Sequence, residues 1–434
     1  MTRVATHLAL MALLGCSTPP GGGGPDSGGA GLDGAQPDTS EPVDVEVSEA
    51  SVIGPGGDAS AETSFGLPVI EVEVDPDLLD EMHENYDDDI TAIVTLTMFG
   101  KRWEGVKFEL HGGYARTLPK KTYRVVFPDD DKPVVDFFGD GAESQRRAVL
   151  QASWIDPTFV RNKLTFDLVR DSGGMAPRVD FCVLTLNGQW HGLYTVVERV
   201  DKLFLGRHDL DKDGNLYKAE NHQANWDAKS DPLDGFDMEI NEDNPTNDLG
   251  DLLDALTYTP QTHADFQVEV EPRLALDDFH AWQRVHVYAL NRDTFTKNYY
   301  LYHDIDEDFG DPDARFRLIS WDADATWGLN WDGKWLDTDE VTWHGTDEFS
   351  LRLYEIQSYK TLFRDAFLDA LEDELAPATI ATRVAASSSR IREAALADLE
   401  HWERDDIDFD SSVQALKDAV QARHDVMKTV LLGL

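Results

Sequence analysis

The sequence predicts an α+β protein: a mainly antiparallel β N-terminal part with inserted helices, then a helical C-terminal part. From residue 67 to about 200, apolar and polar residues alternate with the two-residue period of half-buried strands. Beyond Glu348, apolar residues recur at helical spacing to the end of the chain. The chain has 434 residues, 41% of them hydrophobic, which is enough to bury a sizeable core.

Acidic residues dominate the composition. Asp and Glu number 83 against 38 Lys and Arg, which gives a formal net charge of -45 at pH 7, spread along the chain. Such a surface repels phosphate backbones, so nucleic acid is not expected as a partner. The charge is explained first by solubility, and secondly by attraction of divalent cations and basic substrates.

The N-terminus resembles a lipoprotein signal peptide. Arg3 precedes an apolar run, and Gly15-Cys16 has the small residue and the thiol of a lipidation site. An ordinary secretory signal is the alternative. No later stretch approaches the roughly 20 apolar residues that a spanning helix needs. We therefore expect a signal peptide over 1–16, lipidation of Cys16, and an exported protein lipid-anchored to the bacterial cell envelope, at the outer membrane or cell surface.

Low complexity separates this signal from the folded part. Residues 17–64 are rich in Gly, Pro, Ser and acidic residues and lack aromatic ones before Phe65, which predicts a disordered tether. The folded domain is expected over 65–434. The second cysteine, Cys182, lies in an apolar run and is interpreted as a core residue.

The N-terminal half reads mainly as strands. Alternation and turn signals predict the following elements in order: strand 67–74, helix 76–85, strands around 94–98 and 106–110 joined by a turn at Phe99-Gly100, strand 122–127, helix 157–169, and strands 181–186 and 193–197 around Asn187-Gly188. Asn-Gly is the strongest short hairpin signal in the chain. Four helices follow in the C-terminal part, over 351–356, 359–371, 377–403 and 412–432.

Two segments have the residues of a phosphoryl-transfer site. In the segment DTFTKN, Asp293 and Asn298 stand five apart, as do the catalytic Asp and metal-binding Asn of protein kinases. A strand over 316–321 then ends in Asp322 and Asp324. Phosphoryl transfer needs a carboxylate that orients and deprotonates the acceptor hydroxyl, and oxygen ligands for magnesium. In so acidic a chain, solvated loop carboxylates are the alternative.

Five ordered blocks resemble the CotH kinase (spore-coat protein H) family. They are PKKTYRVVF (119–127), the segment 156–162 with Arg161-Asn162, the hairpin 187–198, KNYYLY (297–302) and WDADATWG (321–328). The resemblance covers about 67–432 and implies an atypical protein-kinase-like fold. It divides the domain into a nucleotide-binding part over 65–200, a catalytic and metal-binding part over 201–347 and a helical part over 348–434.

The resemblance also implies roles for individual residues. Asp293 is expected to be the catalytic base, and Asn298, Asp322 and Asp324 the ligands of Mg²⁺ or Mn²⁺. Lys121 is expected to reach the ATP phosphates, oriented by Glu198 or by a residue of the helix from Pro157.

The loop before Lys121 departs from the family pattern. Gly112 and Gly113 allow close approach of backbone to phosphate. His111 stands where the family usually has an arginine, and Arg116 is expected to compensate for the lost charge. For Arg161, on the helix from Pro157, a structural salt bridge is favoured over a role in orienting Lys121.

The implied function is that of an exported atypical protein kinase. It would transfer the γ-phosphate of ATP to a Ser, Thr or Tyr hydroxyl of a secreted or surface protein. The alternative is a catalytically inactive surface lipoprotein that keeps the fold for binding or structure.

Asp209–Glu220 also satisfies the twelve-residue calcium-loop pattern, with acids at positions 1, 3 and 5, Gly at 6 and Glu at 12. No clean helix follows, so an acidic hairpin turn is favoured over a Ca²⁺ site. His191, His208 and His222 fit no tight metal motif and are interpreted as structural or surface residues.

Overall fold

The structure is a computed structural model that describes residues 63–242, 247–258, 262–305 and 311–434. The predicted signal peptide, Cys16 and the tether up to residue 62 lie outside the described residues. All described residues belong to one compact unit. Its strands lie mostly in the N-terminal half and its longest helices in the C-terminal part, which confirms the α+β prediction.

The first half of the chain forms a closed sheet. The strands of this half are β1 (Thr63–Ser64), β2 (Leu67–Glu73), β3 (Thr91–Met98), β4 (Lys101–Leu110), β5 (Tyr123–Val126), β6 (Val134–Val135), β7 (Glu143–Ser144), β8 (Arg147–Gln151), β9 (Val179–Leu186) and β10 (Gln189–Glu198). The sheet order is β1-β2-β3-β4-β5-β8-β10-β9, and a parallel pairing of β2 with β9 closes it into a barrel. β6 and β7 form a separate two-stranded ribbon.

The apolar side chains of the alternating strands fill the interior of the barrel. Its core includes the buried Trp103, Phe108, Tyr123 and Cys182, which confirms the core interpretation of the cysteine. Phe99-Gly100 and Asn187-Gly188 form the predicted hairpin turns, and all four residues have positive φ.

A smaller antiparallel sheet follows in the middle of the chain. Its strands are β11 (Asn215–Ala219), β12 (Phe236–Ile240), β13 (Tyr299–His303) and β14 (Arg317–Ser320), in the order β12-β11-β13-β14. Of these, sequence patterns predicted only β14.

The described helices are α1 (Pro76–Glu84), α2 (Tyr114–Thr117), α3 (Arg161–Asp171), α4 (Lys202–Arg207), α5 (Asp248–Leu253), α6 (His263–Val270), α7 (Leu276–Tyr288), α8 (Glu348–Glu355), α9 (Gln357–Glu372), α10 (Pro377–His401) and α11 (Phe409–Leu432). α8 to α11 confirm the four predicted C-terminal helices within a few residues. α7 packs against α3 and β14 and is buried over most of its length, so it lacks the amphipathic pattern that would have predicted it. Among the described residues, no helix is long and apolar enough to cross a membrane.

The prediction that a helix begins at Pro157 was wrong by four residues. α3 begins at Arg161, because the preceding residues form a turn around the Asp156 carboxylate. That carboxylate accepts hydrogen bonds from the backbone N–H groups of Thr158 and Arg161, at 2.9 Å each.

A buried ion pair ties the barrel to the C-terminal helices. Lys120, just before β5, is 1% exposed, and its Nζ lies 2.6 Å from Oδ2 of Asp398 on α10. The same carboxylate oxygen accepts a hydrogen bond from the backbone N–H of Leu193 on β10, at 2.7 Å. Asp398 therefore joins α10 to two segments of the barrel.

We expect Lys120→Met to lower the free energy of unfolding by about 3–5 kcal/mol, because it leaves the Asp398 carboxylate buried without its cation. The double variant Lys120→Met/Asp398→Leu should regain most of this loss, since it removes both charges. Urea unfolding measures both effects. Lys202→Met, which breaks the exposed pair with Asp213, is the control. A single variant as stable as the wild type would contradict the role of the pair.

Candidate functional site

A cleft of about 950 Å³ lies between the barrel and the smaller sheet. One wall comes from the loop after β4 and from β5, β8 and the end of β10. The opposite wall comes from β11, β12, the segment after α7 and the segment after β14. The predicted base and all three predicted metal ligands line this cleft: Asp293, Asn298, Asp322 and Asp324.

Asp293 and Asn298 meet through their side chains. Nδ2 of Asn298 donates to Oδ2 of Asp293 at 3.1 Å, and Nζ of Lys297 lies 3.1 Å from the same oxygen. Asn298 has a φ of 62°, a left-handed conformation that Asn tolerates, and its backbone N–H donates to Ala219 at the end of β11. Because the amide nitrogen is engaged by Asp293, the amide oxygen remains for a ligand in the cleft.

Asp322 and Asp324 follow β14 in a loop held by the other wall. Asp322 has a φ of 51°. The next backbone N–H, of Ala323, donates to Oδ1 of Asn162 at 3.1 Å. Nε2 of Gln151, on β8, donates to Oδ2 of Asp324 at 3.3 Å. Gln151 of the barrel thus holds the Asp324 carboxylate, and Asn162 of α3 holds the backbone between the two aspartates.

The two carboxylates crowd each other. Burial, followed by the charges of Asp322 and Asp156, holds the pKa of Asp324 well above its usual range. The side chain of Asp322 reaches solvent within the cleft, but protein surrounds it, and this enclosure and the Asp293 charge raise its pKa. In the described part of the chain no three His, Cys, Asp or Glu side chains converge on one metal position. The ligand set that the family resemblance predicts consists of two carboxylates and an amide, all hard oxygen donors.

A buried histidine lies behind the segment that carries Asp293 and Asn298. Nδ2 of Asn291 donates to Nδ1 of His286 at 3.2 Å, so Nε2 carries the proton that meets Oγ of Ser320, at 2.9 Å. Oδ1 of Asn291 accepts from the backbone N–H of Asp293 at 3.2 Å. Sequence reasoning missed His286 and Asn291, because both act through hydrogen bonds between segments distant in the chain.

Comparison with known proteins gives the family. The family model described as CotH kinase protein matches residues 108–427, more than half of the chain. The chain belongs to the CotH kinase protein family. Over 371 residues it is 24% identical to the inner spore coat protein H of Bacillus subtilis (strain 168), covering 83% of this chain and 97% of that protein. The resemblance found in the sequence is thereby confirmed.

The structure does not bring every predicted residue of this CotH family protein to the cleft. Nζ of Lys121 binds the carbonyl of Arg116 and lies 4.9 Å from the ring centre of Tyr86, outside the cleft lining. Glu198 is buried on the far side of β10 and pairs with Arg178 and Arg207 rather than with a lysine.

The glycine loop does line the cleft, with Gly112, Gly113 and Arg116. Arg116 pairs with Asp89 at 2.8 Å. Burial, followed by nearby cations, holds the pKa of His111 well below its usual range, so this side chain adds no positive charge at neutral pH.

Two further interpretations are decided by geometry. Arg161 is 0% exposed and pairs with Asp156, which confirms its structural role. In Asp209–Glu220, which matches the calcium-loop pattern, an acidic turn leads directly into β11, and Glu220 follows the other end of that strand. The segment therefore does not form an EF-hand.

The three histidines lie in different surroundings. His191 packs against Tyr194 and Trp402. His208 packs on Phe204. The exposed His222 lies at the cleft, with Nε2 3.8 Å from Oδ1 of Asp293. His222 is thus a surface residue that also borders the predicted base.

His286 predicts a pH dependence of stability. Burial lowers its pKa from 6.5 to about 3. The unfolded chain binds a proton at this imidazole more readily than the folded chain does. The contribution of neutral His286 to the free energy of unfolding is therefore complete above about pH 6.5, and it is lost as the pH falls towards 3, by up to about 1.4 kcal/mol per pH unit. We expect the Tm of His286→Gln to fall less steeply than that of the wild type between pH 6.5 and 4, in scanning calorimetry. His263→Gln, at an exposed position, is the control. Equal slopes for His286→Gln and the wild type would contradict the assignment.

Proposed function

We propose that the protein is an exported atypical protein kinase that transfers the γ-phosphate of ATP to a Ser, Thr or Tyr hydroxyl of a secreted or surface protein. The observation that carries the proposal is the convergence of Asp293, Asn298, Asp322 and Asp324 on one cleft, opposite a glycine-containing loop. Membership of the CotH kinase protein family supports it.

The residues of the cleft fit Mg²⁺ or Mn²⁺. Asn298, Asp322 and Asp324 would hold the ion, because amide and carboxylate oxygens are the ligands that these cations prefer. Burial is the first cause of the raised pKa values of the two aspartates, and in each case the charge of a neighbouring carboxylate adds to it. When bound, the ion supplies charge neutralisation on the phosphates.

Asp293 acts on the acceptor. Its carboxylate would orient the acceptor hydroxyl and take the proton while the hydroxyl oxygen bonds to the γ-phosphorus and the bond to the bridging oxygen of ADP breaks. Lys297 and Asn298 hold the Oδ2 oxygen at 3.1 Å each. Oδ1 is the oxygen that remains for the hydroxyl.

The proposed location follows from two observations. The Bacillus relative is named as an inner spore coat protein, and the chain begins with a segment that resembles a lipoprotein signal peptide. We therefore propose export and lipid anchoring through Cys16. The acceptor is then an exported protein.

Transfer of label from γ-labelled ATP in the presence of Mg²⁺ or Mn²⁺ tests the activity. We expect Asp293→Asn to reduce transfer by about 10²–10⁴-fold, because the variant loses only the base. Its ATP-dependent thermal shift should be retained. Asp322→Ala should lose the metal-dependent transfer, because the variant lacks a proposed metal ligand. Asp405→Asn, an exposed acid away from the cleft, is the matched control.

The same assay separates the two functional hypotheses. Full turnover in Asp293→Asn would refute the base assignment. A wild-type protein with neither label transfer nor an ATP-dependent thermal shift would favour a surface protein that keeps the fold without catalysis.

A further inference from the structure

The cleft contains a buried arginine with unused hydrogen-bond donors. Arg199 follows β10, lines the cleft and is 5% exposed. Its Nη2 lies 2.9 Å from both carboxylate oxygens of Glu239. In the part of the chain that the structure describes, its Nε and Nη1 are buried and have no hydrogen-bond partner. The pair with Glu239 thus occupies one nitrogen of the guanidinium and leaves donors on the other two.

Such donors indicate a ligand. A buried N–H group without a partner is destabilising, more so on a charged side chain, and the planar guanidinium matches the oxygens of a phosphate group. Both nitrogens are shielded from bulk water in this structure, so contact with a ligand requires a rotation of the guanidinium. The long arginine side chain permits this.

Arg199 also lies beside the predicted metal ligands. Its guanidinium carbon is 5.6 Å from the ring centre of Trp321, the residue immediately before Asp322. The other cations of the cleft wall, like Arg199, lie against carboxylates: Arg116 with Asp89, Lys120 with Asp398, Arg124 with Glu109, Lys218 with Glu220 and Lys297 with Asp293. Lys121 is not among the residues that line the cleft, and its Nζ binds the carbonyl of Arg116.

We propose that Arg199 is the phosphate-binding cation of the cleft and that, after a rotation of its guanidinium beside Glu239, the N–H groups of Nε or Nη1 contact the phosphate chain of a nucleoside triphosphate. The inference rests on the proposed function for the identity of the nucleotide. The anion site itself rests on the geometry of Arg199. It takes the role that the sequence suggested for Lys121.

Calorimetric titration of the full-length protein tests the assignment with three probes: inorganic tripolyphosphate with Mg²⁺, ATP with Mg²⁺, and adenosine. We expect Arg199→Met to weaken binding of tripolyphosphate and ATP by about 10- to 100-fold, as for loss of hydrogen bonds to a charged group. Adenosine affinity should be unchanged, since adenosine has no phosphate. Arg390→Met is the matched control, because it removes the same charge from an exposed pair with Asp180 outside the cleft lining.

A folding control keeps the test decisive. Arg199→Met leaves Glu239 without its partner, so the double variant Arg199→Met/Glu239→Met is measured alongside, with both charges removed. It should lose tripolyphosphate binding as the single variant does. Wild-type affinity for tripolyphosphate in the folded double variant would overturn the proposal and identify the free donors as water-bound. Absence of tripolyphosphate binding in the wild type would overturn it as well.

The outcomes are separable from those of the transfer assay. Loss of tripolyphosphate binding in Arg199→Met, in a protein that transfers no phosphate, would support the anion site while the kinase proposal fails. Transfer by the wild type together with unchanged tripolyphosphate affinity in Arg199→Met would support the kinase and overturn the role of Arg199.

Discussion

The fully buried guanidinium of Arg161 joins the parts of the molecule that form the cleft. It binds the carboxylate of Asp156 at the entrance to α3, and its Nε donates to the carbonyl of Thr326 at 3.0 Å. Thr326 in turn donates from its hydroxyl to the carbonyl of Ala323 at 2.9 Å. The loop that carries Asp322 and Asp324 is therefore tied to the turn between the barrel and α3. The next residue, Asn162, holds the same loop through Ala323 and the barrel through Gln151.

This arrangement concerns position more than stability. A buried ion pair recovers little more free energy than its desolvation costs, so a hydrophobic replacement of similar volume would often be as stable. A hydrophobic residue, however, would not hold the backbone of the acidic loop in one direction. The left-handed backbone at Asn298 and Asp322 also needs surrounding structure to hold it. The buried polar groups under the cleft, from Arg161 to His286, supply this constraint from several sides.

The sequence predicted those features of the site that depend on local spacing. Asp293 and Asn298 lie five apart in one loop, and Asp322 directly follows a strand, so short patterns suffice to find them. Which cations line the cleft depends instead on the side of the strand that each residue faces. Lys120, Thr122 and Arg124 line the cleft, whereas Lys121 does not. Successive side chains of a strand point to opposite faces, so a shift of one residue exchanges the two sides.

The same alternation separates Glu198 from Arg199. Val197 and Arg199 line the cleft, and Glu198 between them lies on the far side. The period-two pattern was therefore present in the sequence, but the side that faces the cleft was not, because this depends on how the barrel closes and meets the smaller sheet. α7, His286 and Asn291 were missed for a related reason. Their roles come from burial among distant segments, which no short pattern in an apolar run reveals.

The acidity of the chain affects how a nucleotide would enter the proposed site. A chain with a formal net charge of -45 repels a nucleoside triphosphate at long range, and the cations of the cleft wall already face carboxylates. Under the proposed function, a triphosphate therefore enters only with divalent cations that offset its charge and that of Asp322 and Asp324. The same acidity attracts those cations to the cleft. Arg199 then acts at short range through its N–H groups, so the proposed site requires the metal and the arginine together.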